Sequence, residues 1–192
     1  MNVYHFTDTA RLPWILVSGC LKAQRNRIGG YPEPDFIWAT VNSRGDRTSS
    51  ADYAGGRTGK VLAVRFTCRA ADFQPWTAQT WRRYPSWTVE HASRLEESGR
   101  ARGSRPEDWY YRPDPLPLAD VVAIDTKPYR DPSWRSFKGE PIAWLDGYLG
   151  VEIRNVVYLS RTFDTPTGAK GYEITHGFRE PKERPSGRPS DP

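Results

Sequence analysis

The sequence predicts an α+β fold of short strands, short helices and long loops. Strand-like segments recur along the whole 192-residue length, while only two segments carry helical spacing. Eight Trp, ten Tyr and 17 Pro accompany a hydrophobic content of 37%, which suits ordered loops on a β-rich core better than a helical bundle. The length fits one domain, expected over residues 1–178, with 179–192 as a basic, Pro-rich tail.

Val3 to Thr7 (VYHFT) alternates β-branched, aromatic and polar residues and reads as a first strand. Asp8 or Thr9 then caps a short helix. Leu12, Ile15 and Leu16 recur at helical spacing, Pro13 stands in the tolerated first turn, and Gly19 follows where a helix ends. Lys22 to Asp35 is a polar loop, and Phe36 to Val41 (FIWATV) a second strand. Asn42 to Thr58, rich in Ser, Gly, Asp and Arg, reads as a loop with a helical turn near Ser50 to Ala54. Lys60 to Cys68 (KVLAVRFTC) alternates cleanly and is a strand. Asp72 to Trp87 is aromatic and irregular. Thr88 to Gly103 is a charged helix capped by Thr88, with Val89, Ala92 and Leu95 on one face. Leu118 to Asp125, Ile142 to Leu145 and Val156 to Leu159 are further strands, the last two joined by a turn region at Gly147–Gly150. From Arg179 onward the composition predicts disorder.

Several function classes fall away. Cys20 and Cys68 are too few for a disulfide framework and read as reduced core thiols. Leu12 to Leu21 is interrupted by Pro13, Ser18 and Gly19 and is too short to span a membrane, so a cytoplasmic protein with no membrane partner is expected. His5, His91 and His176 are isolated, and neither cysteine has a near His or Cys partner, so no metal is expected. Gly29-Gly30, Gly45 and Gly55-Gly56 miss phosphate-loop and dinucleotide-fingerprint spacing, and no Gly-x-Ser-x-Gly elbow is present. The net charge of +5, dominated by arginine, permits a nucleic-acid or nucleotide partner without demonstrating one.

What remains is a histidine inside an apolar strand. His5 is either satisfied within a core or presented, with Thr7 two residues on, to a ligand lying across the strand. The segment from Asp72 to Pro115 interleaves Trp76, Trp81, Trp87, Trp109, Tyr110 and Tyr111 with Arg82, Arg83, Arg100, Arg102 and Arg105. Such a pattern suits either stacking on unpaired bases or rings packed inward beneath exposed charges; the second is favoured.

The opening VYHFTDTARLPWILVSGCL resembles the start of the ADP-ribosyltransferase fold, especially the DarT family of DNA-modifying toxins and the RNA 2′-phosphotransferase relatives. In those proteins a strand with a His-x-Thr-like element runs into a helix with a Leu-(Pro)-x-Ile-Leu pattern, then Gly and Leu. FIWAT resembles the family's strand ending in Thr, Tyr53 its loop tyrosine, and KVLAVRF its Val/Phe-rich strand. GEPIAWLDG…VEIRNVVYLS resembles its Glu-bearing strand and the strand that closes the fold. The resemblance covers roughly residues 2–68 and 138–160.

The resemblance implies a split β-sheet core, NAD as co-substrate, and transfer of ADP-ribose to a macromolecular acceptor, DNA, RNA or protein, in a toxin-like setting. Cleaving the nicotinamide–ribose bond develops positive charge on the ribose, which a carboxylate stabilises. Glu140, before the IAWL strand, is the first candidate for that carboxylate, Glu152 the second and Glu173 a distant third. The resemblance implies that His5, Phe6 and Thr7 contact NAD from the first strand, Trp38 and Thr40 from the second, and Arg44 and Tyr53 from the loop that follows, although a tryptophan inside an apolar strand more often packs in a core; Arg47 flanks the same loop. A basic residue used by the family near the second strand matches Arg25, Arg27 or Arg44 equally well. An RNA 2′-phosphotransferase and a non-catalytic single-stranded nucleic-acid-binding module stand as the alternatives.

Overall fold

The VYHFT strand is flanked on both sides by the other two segments of strongest strand character. In a computed structural model, which describes residues 1–9, 11–23, 30–45, 62–138, 147–153, 156–164 and 170–178, β1 (Asn2–Asp8) lies between β3 (Ile37–Thr40) and β4 (Ala63–Arg69). The chain between them holds α1 (Leu12–Ser18) and the two-residue strand β2 (Cys20–Leu21). Then come β5 (Gln74–Pro75), α2 (Ala78–Trp81), α3 (Val89–Ala101), β6 (Trp109–Arg112), β7 (Leu116–Pro117), β8 (Ala123–Lys127) and β9 (Arg135–Ser136). Seven strands form one sheet in the order β5-β6-β3-β1-β4-β8-β9, and β2 pairs with β7 separately. A three-stranded sheet follows, of β10 (Gly147–Ile153), β11 (Val156–Asp164) and β12 (Lys170–Phe178). Every registered pairing is antiparallel, so the fold is a mixed α and β one with few helices.

Local sequence explains the first unit. The β1–α1 junction is set by Asp8, whose Oδ1 accepts the Arg11 amide at 3.2 Å, while the Arg11 guanidinium donates to Oδ2. Thr9 extends the pairing of β1 with β4: its hydroxyl accepts the Leu62 amide at 2.8 Å and its own amide donates to the Leu62 carbonyl at 3.0 Å. Gly19 closes the helix at φ +69, a left-handed backbone that glycine adopts without Cβ strain. Neither candidate is the N-cap, which is Arg11 without a side-chain capping bond; Asp8 instead holds the turn into the helix, and Thr9 extends the sheet.

Partners in a β-register share a face, so the register sorts the core. Val3, His5 and Thr7 share one face with Cys68, Phe66 and Val64. Against this face pack Leu12, Ile15 and Leu16 of α1, with Leu21, Ile37, Ala39 and Leu116, in an aliphatic core. On the opposite face Trp38 lies across from Tyr111, and Thr40 from Trp109. There Phe36, Trp76, Trp81, Trp87, Trp109 and Tyr111 pack with Ala92 and Leu95 of α3 in an aromatic core. The ring edges are satisfied: Trp76 Nε1 donates to Glu96 at 3.0 Å and Trp87 Nε1 to the Pro34 carbonyl at 3.1 Å. The tryptophans of the middle segment are thus structural, and exposed Arg82 lies over the buried Trp81 ring at 5.4 Å.

Some expectations need correction. Val89 is 56% exposed and is not on the buried face of α3, which is Ala92 and Gly99 with Leu95 partly covered. Leu118–Asp120 is a 3-10 turn, and the strand expected there starts later, at Ala123. Gly147–Gly150 is strand rather than turn, with an irregular register between Tyr148 and Glu152 where the glycines stand. The helical turn expected near Ser50, the strand at Ile142–Leu145 and the tail at 179–192 lie outside the described residues.

Candidate functional site

β1 pairs with β4 along its whole length but with β3 at one registered position, Tyr4 with Thr40. His5 stands beside that thin junction. Its Nδ1 lies 2.7 Å from the Trp38 carbonyl oxygen. A carbonyl oxygen only accepts, so Nδ1 carries the proton and donates, leaving the lone pair on Nε2. Among the described residues Nε2 has no hydrogen-bond partner. The ring is partly buried beside Phe66, with centroids 6.1 Å apart. Burial lowers the His5 pKa below its ordinary value, the Trp38 bond opposes that, and the Arg11 charge adds to the lowering. The imidazole is therefore neutral at pH 7, a hydrogen-bond acceptor of fixed tautomer.

The residues expected around one ligand divide between the two faces of the sheet. Thr7 shares the His5 face, opposite Val64. Phe6 is on the other face, buried against Trp134 with ring centroids 5.9 Å apart. Trp38 packs edge-on to Phe36, Trp76 and Trp109, so its ring belongs to the aromatic core. Thr40 is buried, and its hydroxyl accepts the Asn42 amide at 3.2 Å. Arg44 is exposed in the loop that follows. Glu140, Tyr53, Arg25, Arg27 and Arg47 lie outside the described residues. Glu152 stands opposite Val157 in the β10–β11 register, and Glu173 opposite Arg161 in the β11–β12 register.

A second constellation, absent from the sequence reading, occupies the Phe6 side. Arg65 donates to Asp125 Oδ2 from Nη2 at 2.8 Å and Nε at 3.2 Å, and from Nη1 to the Ser43 carbonyl at 2.8 Å. Its guanidinium lies 4.6 Å from the Trp134 ring centroid and 5.3 Å from that of Tyr4. With side-chain exposures of 16% and 15%, Arg65 and Asp125 form a largely covered pair that ties β4, β8 and the loop before Arg44 together. The available signal was the arginine interrupting an otherwise apolar strand.

Near Thr40 a polar hollow of about 200 Å³ is bounded by Asn42 and Gly45 on one side and by Ser104, Arg105 and Asp108 on the other. Dinucleotide-sized sites run from about 300 to 1,000 Å³, and His5 does not line this hollow. Among the described residues no group of three or more His, Cys, Asp or Glu is placed to hold a metal ion. No described helix is long and apolar enough to cross a membrane. No protein-family model matches the sequence, and neither a curated protein nor a solved structure matches it.

Proposed function

We propose that this chain is an NAD-dependent mono-ADP-ribosyltransferase, acting on a macromolecular acceptor. The observation that supports this most is the fixed tautomer of His5. A neutral imidazole with Nδ1 committed to the Trp38 carbonyl offers Nε2 as an acceptor, the group a ribose hydroxyl needs. The segments carrying the family resemblance in the first 68 residues are adjacent as β3, β1 and β4. The split of Phe6, Trp38 and Thr40 onto the opposite face limits the proposed contacts from the described strands to His5 and Thr7.

In this reading His5 accepts a hydrogen bond from a ribose hydroxyl, and Thr7 supports it. Glu140 supplies the carboxylate that stabilises positive charge at the anomeric carbon as nicotinamide leaves with the bonding pair. The acceptor then bonds to that carbon and gives up its proton.

Incubation of the purified chain with NAD labelled on its adenylate half, together with DNA, RNA and cell lysate, tests this reading. Label transfer to one macromolecule is expected, abolished in Glu140→Ala and reduced sharply in His5→Ala. Full transfer by both variants, or no nicotinamide release by the parent chain, rejects it.

A further inference from the structure

The aromatic–arginine segment buries its tryptophans and, from Asp72 to Pro115, carries seven arginines against seven carboxylates, so net basic charge has to be sought elsewhere. It is concentrated at the far edge of the seven-stranded sheet. From Lys127 to Lys138 the chain carries Lys127, Arg130, Arg135 and Lys138 against Asp131 alone, a net +3 where the whole chain carries +5. Arg130 and Lys138 are exposed, and the Arg135 side chain is 77% exposed. Asp131 neutralises little of this: it lies 3.7 Å from Arg135, a long contact at an exposed site, and its Oδ1 accepts the Ser133 amide at 2.8 Å.

The edge is held in one shape. Trp134 lies under Arg65 and packs on Phe6, and Lys127 reaches to 5.1 Å from its ring while donating to the Asp131 carbonyl at 2.9 Å. β9 is the last strand of the sheet, but it has only two residues and is preceded by Pro128 and Pro132. An edge this short is a poor template for adding a peptide strand. Among the described residues the large apolar side chains that are exposed are Met1, Val89 and Val122, none in this segment, so it offers nothing to insert into a lipid layer. What it presents is a cluster of cations, two of the four planar guanidiniums, which match phosphate bidentately.

We propose that the β8–β9 edge, through Arg130 and Arg135, binds the phosphodiester backbone of nucleic acid without reading its sequence. Each contact releases condensed counterions, so binding is salt-dependent, with a slope set by the number of phosphates neutralised. The proposal does not depend on the NAD reading, because it rests on the cations of the sheet edge and not on His5.

Fluorescence anisotropy of the full chain with a labelled 20-mer single-stranded oligonucleotide, repeated across salt concentrations, tests the proposal. In Arg130→Glu/Arg135→Glu, affinity is expected to fall at least about tenfold and the log–log salt slope to flatten by about 1.4. Arg130→Glu alone, at an exposed turn, is expected to give about half that flattening with an unchanged melting temperature. Arg82→Glu/Arg83→Glu, on the opposite end of the sheet, is expected to bind like the parent. Parent-like affinity and slope in the β8–β9 variants overturn the proposal, as does loss of binding in the Arg82/Arg83 variant instead. Binding to anionic phospholipid vesicles with none to the oligonucleotide also overturns it.

Discussion

His5 bridges from β1 to the Trp38 carbonyl of β3 at 2.7 Å, beside the one registered pair that joins these strands. The bond requires a protonated Nδ1 and is compatible with the neutral ring that burial enforces. Because the folded pKa lies below the unfolded one, the unfolded chain takes up its proton first as pH falls. His5 therefore contributes no pH dependence well above about pH 6.5, and it destabilises the fold progressively as the pH drops below that value, by at most about 1.4 kcal/mol per pH unit. Asn in place of His5 keeps a donor near the Trp38 carbonyl without a titrating group. Urea denaturation of the parent and His5→Asn at pH 7.5, 6.5 and 5.5 is expected to show the parent losing stability more steeply than the variant over the step from pH 6.5 to 5.5. Parallel pH profiles contradict the assignment.

How much of this was legible depends on how local each cause is. The β1–α1 unit was readable because Asp8, Leu12, Ile15, Leu16 and Gly19 each act within a few residues of one another. Trp109–Arg112 was missed as a strand because WYYR sits in an aromatic, Arg-rich stretch and becomes β6 only by pairing with β3, some seventy residues earlier in the chain. Lys170–Phe178 was missed because its glycines and polar residues dilute the apolar signal, and the β11 ladder supplies the order. For the site, the sequence offered His5 and pointed to packing as the commoner role of Trp38, but the faces of the flanking residues were not all local. Alternation along a strand sets the face of Phe6, whereas the face of Trp38 depends on the register between β1 and β3. Arg65 was visible as a break in an apolar run, yet its partners Asp125 and Trp134 lie 60 and 69 positions further along and no local pattern joins them.

That pair makes the next prediction. Replacing Arg65 by Met removes three hydrogen bonds and the cation on Trp134, and leaves the Asp125 carboxylate largely covered and unpaired. Removing one member of a covered ion pair costs more than removing both, about 3 kcal/mol against a smaller loss for the double change. Urea denaturation of Arg65→Met, Asp125→Leu and the double variant is expected to give a coupling of at least about 1 kcal/mol. Additive losses show that the two side chains are energetically independent.

The two thiols are expected to behave differently. Cys68 is fully buried, and burial, with the Asp72 charge adding to it and Arg112 opposing, pushes its pKa up to about 12. Cys20 is partly exposed at the end of α1. At pH 8 a thiol-reactive dye in excess is expected to label one site in the native chain, identified as Cys20 by mass spectrometry of the digest, and both sites in denaturant. Rapid native labelling of Cys68 shows that the β1–β4 face opens far more readily than its packing indicates.

Gly99 in α3 tests the aromatic core. A Cβ at this position meets the buried Trp109 ring, with carbons at 2.4 and 2.5 Å. Two effects of Gly99→Ala oppose each other. Alanine favours a helix interior over glycine by about 1 kcal/mol, while forcing a methyl into a packed core costs about 1–3 kcal/mol. The second wins here, because Trp109 is 5% exposed and registered with Thr40, so the ring has no free direction in which to retreat. Gly99→Ala is expected to lower the melting temperature by several degrees, whereas Ser98→Ala, one residue earlier on the exposed side of the helix, leaves it within about a degree. Trimming the ring restores the space: Trp109→Leu is expected to lose less stability in the Gly99→Ala background than alone. A stabilising Gly99→Ala means that propensity outweighs the contact and that α3 stands further from the sheet than the Trp109 packing requires.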